Sequence, residues 1–381
     1  MTTNFYPEQY KATGDFPINH NYLDRQFSDY PEIMKKIALV IEQGDYTLGS
    51  AVDKFEADFS ALNEGKFGIG VGSGTDALFL SLKALGVGEG DEVITTPYTF
   101  FATIGAIVTA GATPVFVDAG DDHNINVALI EKAITSKTKV IMPVHWAGVP
   151  CDMDAINTIA KANNLKVIAD ACHGILSEYK GQGIASVSDV ACFSMHPLKN
   201  LNVWGDGGVI VTNDEALAKQ LYLIRNHGLI DRDNCAQWAY NSRLDTVQAV
   251  VAQHLLDNKI SHISQKRIDN ALYLDQVLKD ISQVTMPKRD SDKKAVFHLY
   301  MGLFERRDAL QQYLQSKGID AKVHYPIPMH LQPAAKSMGH QKGDFPVAEH
   351  IADNCLSLPV HEFITFEELD FVASTIKEFY R

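Results

Sequence analysis

Lys199 is the residue of this sequence with the clearest capacity for covalent chemistry. It lies in the segment FSMHPLKNLNVWGDGG (193–208), directly after a short apolar run that is typical of a buried strand. The amine of a lysine in such a place can attack a carbonyl group and form a Schiff base. A loop lysine that is simply exposed to solvent is the alternative, because lysine is rarely buried. Lys199 alone therefore leaves both interpretations open.

Two further segments could bind a phosphate and a protonated ring nitrogen. The glycine-rich turn GVGSGTDAL (70–78) opens a predicted helix, and the backbone N–H groups of Gly74, Thr75 and Asp76 could bind a phosphate there. Asp170 ends the apolar run KVIAD, where a carboxylate costs free energy of desolvation unless it is paired. A pyridinium nitrogen could be its partner. For the glycine-rich turn, the alternative is a purely structural function. For Asp170, the alternative is a helix N-cap.

An aromatic residue supplies the fourth group. Phe100, in PYTFFAT (97–103), follows another apolar run and could stack on a flat cofactor, although a place in the core is the commoner one. Together the four segments offer a phosphate cradle, a stacking surface, a counter-ion for a ring nitrogen and an amine. These are the groups that pyridoxal phosphate requires, so the sequence predicts a site for this cofactor.

The elements that would position these groups belong to an α/β fold. Segments with helical periodicity lie between most of the apolar runs, which predicts a mostly parallel seven-stranded sheet with helices on both faces. The seven predicted strands are 67–71, 92–96, 114–118, 139–145, 166–170, 190–195 and 208–213. Ligands bind at the carboxyl ends of such strands, where the four groups would meet. The connection that holds Lys199 lacks a clear crossover helix, so the seventh strand could instead be antiparallel to the sixth.

The rest of the chain predicts a second, smaller unit. Helical patterns cover 31–44, 51–62, 214–228 and 244–256, and a polar helix follows from about residue 258. The C-terminal third then predicts a strand at 297–304, a helix at 306–318, a strand at 319–325 and a closing helix at 366–380. We therefore expect a large cofactor-binding domain with an N-terminal arm (1–258) and a small C-terminal α+β domain (259–381).

Composition excludes several classes of protein. The 381 residues carry 34 Lys and Arg against 47 Asp and Glu, a net charge of −13, without a basic tract, so nucleic-acid binding is not expected. No run of about 18 apolar residues occurs, and the N-terminus lacks an apolar leader, so no membrane partner is expected and a cytoplasmic location is predicted. The five scattered cysteines contain no CxxC, which argues against disulfides and a metal site.

Seven segments together resemble one family. They are GSGTDAL (72–78), PYTFFAT (97–103), DACHG (170–174), SMHPLKNLNVWGDGG (194–208), RNHG (225–228), YNSRLDTVQA (240–249) and HYPIPMHLQPA (324–334). From about Phe16 to the C-terminus the chain resembles the DegT/DnrJ/EryC1/StrS family of sugar aminotransferases. The resemblance implies an aspartate-aminotransferase-like fold of type I and a transaminase that uses pyridoxal phosphate.

The resemblance also implies a role for individual residues. Lys199 would bind the cofactor covalently and move a proton during the reaction, Asp170 would pair with the ring nitrogen, and Phe100 would stack on the ring. Gly74 and Thr75 would hold the phosphate.

Three further cofactor contacts follow from the resemblance. The hydroxyl of Ser194 would bind the phosphate. His173 stands near the ring hydroxyl, where the family often has Gln, and an imidazole can still donate a hydrogen bond there. Asn241 would reach the phosphate of a neighbouring subunit, which implies a homodimer with shared active sites.

The substrates are implied only in outline. The resemblance implies L-glutamate as amino donor and a nucleotide-linked keto sugar as acceptor, in the synthesis of amino sugars for surface glycans or related products. GDGG after the lysine and YNSRLDT are typical of members that aminate C-3, whereas GEGG and YNYR are typical of amination at C-4. Arg225, Arg243 and His330 are candidates for contacts with the donor carboxylate or a pyrophosphate. Each could instead be a surface or salt-bridge residue.

Other functions remain as alternatives. A 4-keto sugar or a keto-cyclitol could be the acceptor. The sugar dehydratases among the relatives carry His in place of the lysine, and a non-catalytic binding protein would tolerate its loss, so Lys199 disfavours both. A hydrolase built on Cys172 and His173 is disfavoured because adjacent residues on a strand point to opposite faces.

Overall fold

The structure is a computed structural model that describes residues 16–381, so the start of the predicted N-terminal arm, residues 1–15, lies outside the described residues. Residues 16–258 contain, in order, α1 (Leu23–Gln26), α2 (Tyr30–Gln43), α3 (Ser50–Leu62), β1 (Phe67–Val71), α4 (Gly74–Ala84), β2 (Glu92–Thr95), α5 (Phe101–Thr109), β3 (Thr113–Phe116), α6 (Val127–Ala133), β4 (Thr138–Ile141), α7 (Met153–Ala162), β5 (Lys166–Asp170), β6 (Glu178–Tyr179), β7 (Gln182–Gly183), β8 (Val190–Ser194), β9 (Gly208–Thr212), α8 (Glu215–Ile224) and α9 (Thr246–Asn258). The remaining residues contain α10 (Ile260–Leu278), β10 (Val284–Thr285), β11 (Lys293–Lys294), β12 (Tyr300–Phe304), α11 (Arg307–Ser316), α12 (Pro346–Asn354), β13 (Cys355–Leu358) and α13 (Phe366–Phe379).

The central sheet contains all seven predicted strands, in the order β1-β9-β8-β5-β4-β2-β3. The neighbours β3, β2, β4, β5 and β8 pair in parallel. Strand β9 lies between β1 and β8 and is antiparallel to both. Since residues 195–207 hold no crossover helix, the chain can return directly beside β8, as an antiparallel pair requires. The prediction of a mostly parallel sheet is confirmed.

Helices cover both faces of this sheet and bury two apolar cores. In β8 the residues alternate between them: Ala191 and Phe193 belong to the core with Phe55 and Phe59 of α3, whereas Val190 and Cys192 belong to the core on the other face. Successive side chains of a strand point to opposite faces, so a strand buried on both faces must be apolar throughout. This explains why the strands read as continuous apolar runs in the sequence.

The helices begin and end close to the predicted positions. Helix α2 ends at Gln43, and Gly44 follows in the left-handed region with φ of 68°, its N–H donating to the carbonyl groups of Val40 and Ile41. A glycine takes this conformation without the steric cost that a Cβ would add.

The C-terminal unit has its own antiparallel sheet, β10-β12-β13, and its own apolar core. The strand predicted at 319–325 is wrong, because that segment makes only single bridges, between Ile319 and Ile18 and between Lys322 and Ser357. Ile18, from the predicted N-terminal arm, is buried in this second core. The domain boundary stays a prediction; helix α9 stops at Asn258 and α10 starts at Ile260.

Among the helices of residues 16–381, none combines the length and the apolar character needed to cross a bilayer.

Candidate active site

A cavity of about 430 Å³ opens where several strands of the central sheet end. Part of its wall follows β1, β2, β4, β5 and β8, and another part comes from the C-terminal unit. It brings together seven of the predicted site residues: Gly74, Thr75, Phe100, Asp170, His173, Ser194 and Lys199. Parallel strands end at the same edge of a sheet, which is why residues distant in sequence meet here.

Asp170 is the last residue of β5, and only 4% of its surface is exposed. The hydroxyl of Thr103 donates a hydrogen bond of 2.8 Å to its Oδ2, and the backbone N–H of Cys172 donates one of 3.2 Å to its Oδ1. Burial raises the pKa of Asp170, while these donors and the charge of Lys199 oppose the rise. Turns rather than a helix follow Asp170, so it caps no helix. A cationic ring nitrogen would compensate this buried carboxylate.

Lys199 lies on the connection between β8 and β9 and lines the cavity. Its backbone N–H donates to the carbonyl of His196 at 2.8 Å, and the side chain of the next residue, Asn200, donates to the carbonyl of Val296 at 3.1 Å. These bonds hold the lysine loop in place. Burial lowers the pKa of Lys199 to about 8, although the nearby Cys172 and Asp170 groups act to raise it. A neutral, nucleophilic amine is therefore accessible close to neutral pH.

The N-terminus of α4 forms the anion-binding part of the cavity. Ser73 caps this helix by accepting a hydrogen bond of 3.0 Å from the N–H of Asp76. The prediction that this N–H would bind a phosphate is therefore wrong. The N–H groups of Gly74 and Thr75 belong to the first turn, which has no intrahelical acceptors. A Cβ at Gly74 would lie 2.6 Å from Cβ of Ser194. Only glycine therefore lets the helix end approach the hydroxyl of Ser194.

Aromatic and imidazole rings complete this part of the wall. The Phe100 ring is 41% exposed at the cavity and lies 5.6 Å from the ring of Tyr325. The buried ring of His173 lies 5.1 Å from Trp146 and 4.2 Å from His298, and no group of the described residues forms a hydrogen bond with its Nδ1. A flat cofactor with a phosphate, a protonated ring nitrogen and a ring hydroxyl fits these residues. Pyridoxal phosphate has all of these groups.

Several residues of the wall were not singled out in the sequence. Thr103 lies within PYTFFAT, and His324 and Tyr325 lie within HYPIPMHLQPA. Both segments were part of the family resemblance, but no role was predicted for these three residues. Three further residues of the wall lie outside every motif named above. They are Arg267 in α10, His298 before β12 and Lys322 beside β13.

Four predicted residues do not line the cavity in this chain. The guanidinium of Arg225 is buried, paired with Glu56, and donates to the carbonyl of Gly70 at 2.8 Å. His330 is 2% exposed, and its Nε2 lies 3.0 Å from Oε1 of Glu349. Arg225 thus occupies the salt-bridge role that was its alternative, and His330 is a buried partner of Glu349.

Arg243 and Asn241 lie together beside the end of α8. Nη1 of Arg243 donates to Oδ1 of Asn226 at 3.0 Å, and Asn226 forms an isolated antiparallel bridge with Asn241. Asn241 is exposed. Contacts of these two residues with a neighbouring subunit stay predictions.

The cysteines show no sign of metal or hydrolytic chemistry within residues 16–381. All five are free, and no three His, Cys, Asp or Glu side chains of the described chain could hold a metal ion. Burial raises the pKa of the Cys172 thiol well above its ordinary value and lowers that of His173 well below its own. A thiolate at Cys172 is therefore disfavoured, and with it the hydrolase alternative.

The sheet topology and the lysine–aspartate cavity define a fold-type I enzyme that uses pyridoxal phosphate. Residues 28–377 match the model of the DegT/DnrJ/EryC1/StrS aminotransferase family, and the chain belongs to this family. It is an aminotransferase with pyridoxal phosphate as cofactor.

Individual relatives agree with the family assignment. A pleiotropic regulatory protein of Geobacillus stearothermophilus is 43% identical, over 92% of this chain and 95% of the relative. The dTDP-3-amino-3,4,6-trideoxy-alpha-D-glucose transaminase of Streptomyces venezuelae is 40% identical, over 85% of this chain and 86% of the relative. The crystal structure of S. venezuelae DesV in complex with a ketimine intermediate superposes with a TM-score of 0.93 at 36% identity, covering 97% of this chain and 99% of that one.

Proposed function

We propose that the protein transfers an amino group from L-glutamate to C-3 of a nucleotide-linked 3-keto sugar in the synthesis of an amino sugar. The observation that carries the amino transfer is the cavity that joins Lys199, Asp170 and the N-terminus of α4. The choice of C-3 is supported by the GDGG and YNSRLDT segments and by the relative from S. venezuelae, whose name describes a 3-amino sugar.

The residues of the cavity divide the work of the reaction. When bound, pyridoxal phosphate supplies an electron sink for negative charge on the carbon that gains or loses the amine. Asp170 would keep the ring nitrogen protonated by ionic pairing inside a buried site. Lys199, neutral above its lowered pKa, would take a proton from the donor carbon and return one to the acceptor carbon.

Other residues would orient the groups and limit the access of water. The N–H groups of Gly74 and Thr75 and the hydroxyl of Ser194 would hold the phosphate, because a helix N-terminus favours an anion. Phe100 would cover one side of the ring, and His173 would direct a hydrogen bond at the ring hydroxyl. Each of these roles follows from a place on the cavity wall.

A homodimer with shared active sites is part of the proposal. Large apolar side chains are exposed near the cavity mouth and on the segment before Asn241: Phe101 is 51% exposed, Ile230 68% and Trp238 96%. Exposed apolar groups of this size are typical of interaction surfaces. A second copy of the chain would cover them and could bring its Asn241 to the phosphate.

Absorbance and a substrate panel test the proposal. The purified protein with pyridoxal phosphate should absorb in the visible and near-ultraviolet, and Lys199→Ala should abolish the lysine-bound signal and lower the rate of amino transfer by at least about 10²-fold. With L-glutamate as donor, 3-keto nucleotide sugars should react faster than their 4-keto isomers, as measured by mass spectrometry of the amino products. A colourless protein would refute the cofactor site, and faster reaction of 4-keto sugars would refute the C-3 assignment alone.

A further inference from the structure

The cavity has a second cationic region besides Lys199. Arg267 and Lys322 line its wall, which also holds the carboxylates of Asp170 and Asp206. Behind the wall, Glu362 lies near Arg267 and Asp320 lies near Lys322. The histidines beside them are neutral, since burial lowers the pKa of His324 to about 3 and that of His298 well below its ordinary value. Arg267 and Lys322 are therefore the cationic groups of this wall that the cofactor contacts described above do not use.

Arg267 is buried with an unsatisfied donor. The residue is 8% exposed, and its Nη1 donates to the carbonyl groups of Phe297 and His298, each at 3.3 Å. Its Nε lies 3.7 Å from Oε2 of Glu362, which is too long for a hydrogen bond, and residues 16–381 give it no other hydrogen-bond partner. A guanidinium has five N–H donors, and that of Arg267 lines the cavity, so it can bind an anionic ligand there.

Lys322 is held on a fixed piece of backbone. Its N–H donates to the carbonyl of Ser357 at 3.1 Å, and its carbonyl accepts from the N–H of Ser357 at 2.7 Å. The ammonium lies 3.1 Å from Oδ1 of Asp320 and is about one third exposed. An ammonium has three donors, so Lys322 can bind Asp320 and an anionic ligand together.

Arg267 is linked through His298 to the part of the cavity that holds His173. Its Nη1 contacts the carbonyl of His298, whose ring lies 4.2 Å from that of His173, three residues after Asp170. The carboxylate of an amino acid is attached to the carbon that reacts. The phosphates of a nucleotide-linked sugar are separated from C-3 by two ring carbons and an oxygen.

We infer that Arg267 and Lys322 form the binding site for the carboxylate of the amino donor. This inference rests on the proposed function and replaces Arg225 and His330, which the fold pairs elsewhere. The carboxylate would accept from the guanidinium of Arg267 and from the ammonium of Lys322. Charge-assisted bonds of this kind are about twice as strong as neutral ones.

The test compares the full-length protein, loaded with pyridoxal phosphate, with Lys322→Met and Lys322→Arg. The first half-reaction is followed by mixing each protein with L-glutamate alone and recording the loss of visible absorbance. Calorimetry measures the dissociation constants of glutarate and of dTDP. Lys166→Met is the matched control, because Lys166 forms a comparable exposed pair with Asp189 at 2.8 Å, at the opposite end of β5.

Lys322→Met should weaken the binding of glutamate and glutarate about tenfold, since one charge-assisted bond is lost in a partly solvated place. It should leave the binding of dTDP within about twofold, and Lys322→Arg should restore most of the loss. If Lys322→Met does not fold, as judged by circular dichroism, Lys322→Gln makes the same comparison and keeps a donor for Asp320.

Unchanged glutarate binding in Lys322→Met would overturn the inference, and so would the absence of glutarate binding to the unaltered protein. A weakening of dTDP binding alone would also overturn it, because that result indicates a phosphate site. Failure of the proposed function shows differently, as an unaltered protein that takes no amino group from glutamate. Because glutarate binding needs no amino transfer, the two failures are distinguishable.

Discussion

Burial gives Lys199 and Asp170 their chemical character. Burial disfavours charge on both groups, lowering the pKa of the amine and raising that of the carboxyl, and the two charges partly offset these shifts in each other. Thr103 then favours the ionised carboxylate by donating to its Oδ2. The lysine and the aspartate were recognisable because each ends or follows an apolar run. Thr103 was not, because its hydroxyl acquires a role only when α5 packs beside β5.

A pH profile should report the lowered pKa of Lys199. In the cofactor-free protein the amine is protonated below a pKa of about 8 and neutral above it, and only the neutral form attacks a carbonyl. The rate at which added pyridoxal phosphate acquires the lysine-bound absorbance should therefore rise with pH and level off above about pH 8. Asp170→Asn should move this midpoint to lower pH, because the aspartate charge raises the lysine pKa. A midpoint near 10, the ordinary value for lysine, would show that the amine is not buried as described.

At the scale of elements, the insertion of β9 between β1 and β8 shapes the phosphate region. A Cβ at Gly208, the last glycine of GDGG, would lie 2.3 Å from the carbonyl oxygen of Ser73. The turn can therefore pack under the start of α4 only with glycine at that position. Gly208 of the GDGG segment therefore has a structural function, whether or not the segment is also related to amination at C-3.

Gly74→Ala should disturb the phosphate region specifically. The added methyl group would lie 2.6 Å from Cβ of Ser194 and 3.0 Å from Sγ of Cys172, so either the helix end or the strand must shift. We expect a loss of about 1–3 kcal/mol in the free energy of unfolding and weaker binding of pyridoxal phosphate, measured by denaturant titration and fluorescence titration.

Gly105→Ala is the control for this change. It lies in α5, where an added Cβ would come within 4 Å of no other part of the described chain beyond its own helix backbone, so the substitution should stabilise the protein by up to about 1 kcal/mol. Equal changes in unfolding free energy and cofactor binding for the two substitutions would show that Gly74 has no special place beside Ser194.

At the scale of the whole molecule, two units and an N-terminal segment enclose one cavity. Ile18 packs into the C-terminal core, and the N–H of His20 donates to Oδ2 of Asp320 at 3.2 Å. The N-terminal segment thus helps to position Lys322 through Asp320. A chain with a net charge of −13 can still bind an anionic substrate there, because the local donors rather than the total charge face the ligand.

Trp238→Glu should weaken the proposed homodimer. A charge in the centre of an apolar contact is costly to desolvate, so light scattering should show a mass nearer one chain of 42.1 kDa than two. Cofactor affinity should fall with the dimer if Asn241 of a second copy contacts the phosphate. Phe371→Glu, at a side chain 46% exposed on α13, should leave the mass unchanged. A protein that is monomeric without any substitution would refute shared active sites.

The amino-acid sequence by itself determined the seven strands, the type of sheet and the place of Lys199, Asp170, Phe100 and the glycine turn. These features follow from local patterns, because apolar runs, glycine turns and strand ends are encoded by neighbouring residues. Even so, the strand predicted at 319–325 was wrong, because its apolar and polar alternation finds only isolated bridges and no ladder.

Only the tertiary structure decided which cations face the cavity. Arg225 follows a helix as a substrate-binding arginine could, yet it pairs with Glu56, whereas Arg267 lines the cavity. Arg267 and Lys322 are far apart in sequence and carry no shared motif. Their place on one cavity wall depends on long-range packing, which leaves no local pattern in the chain.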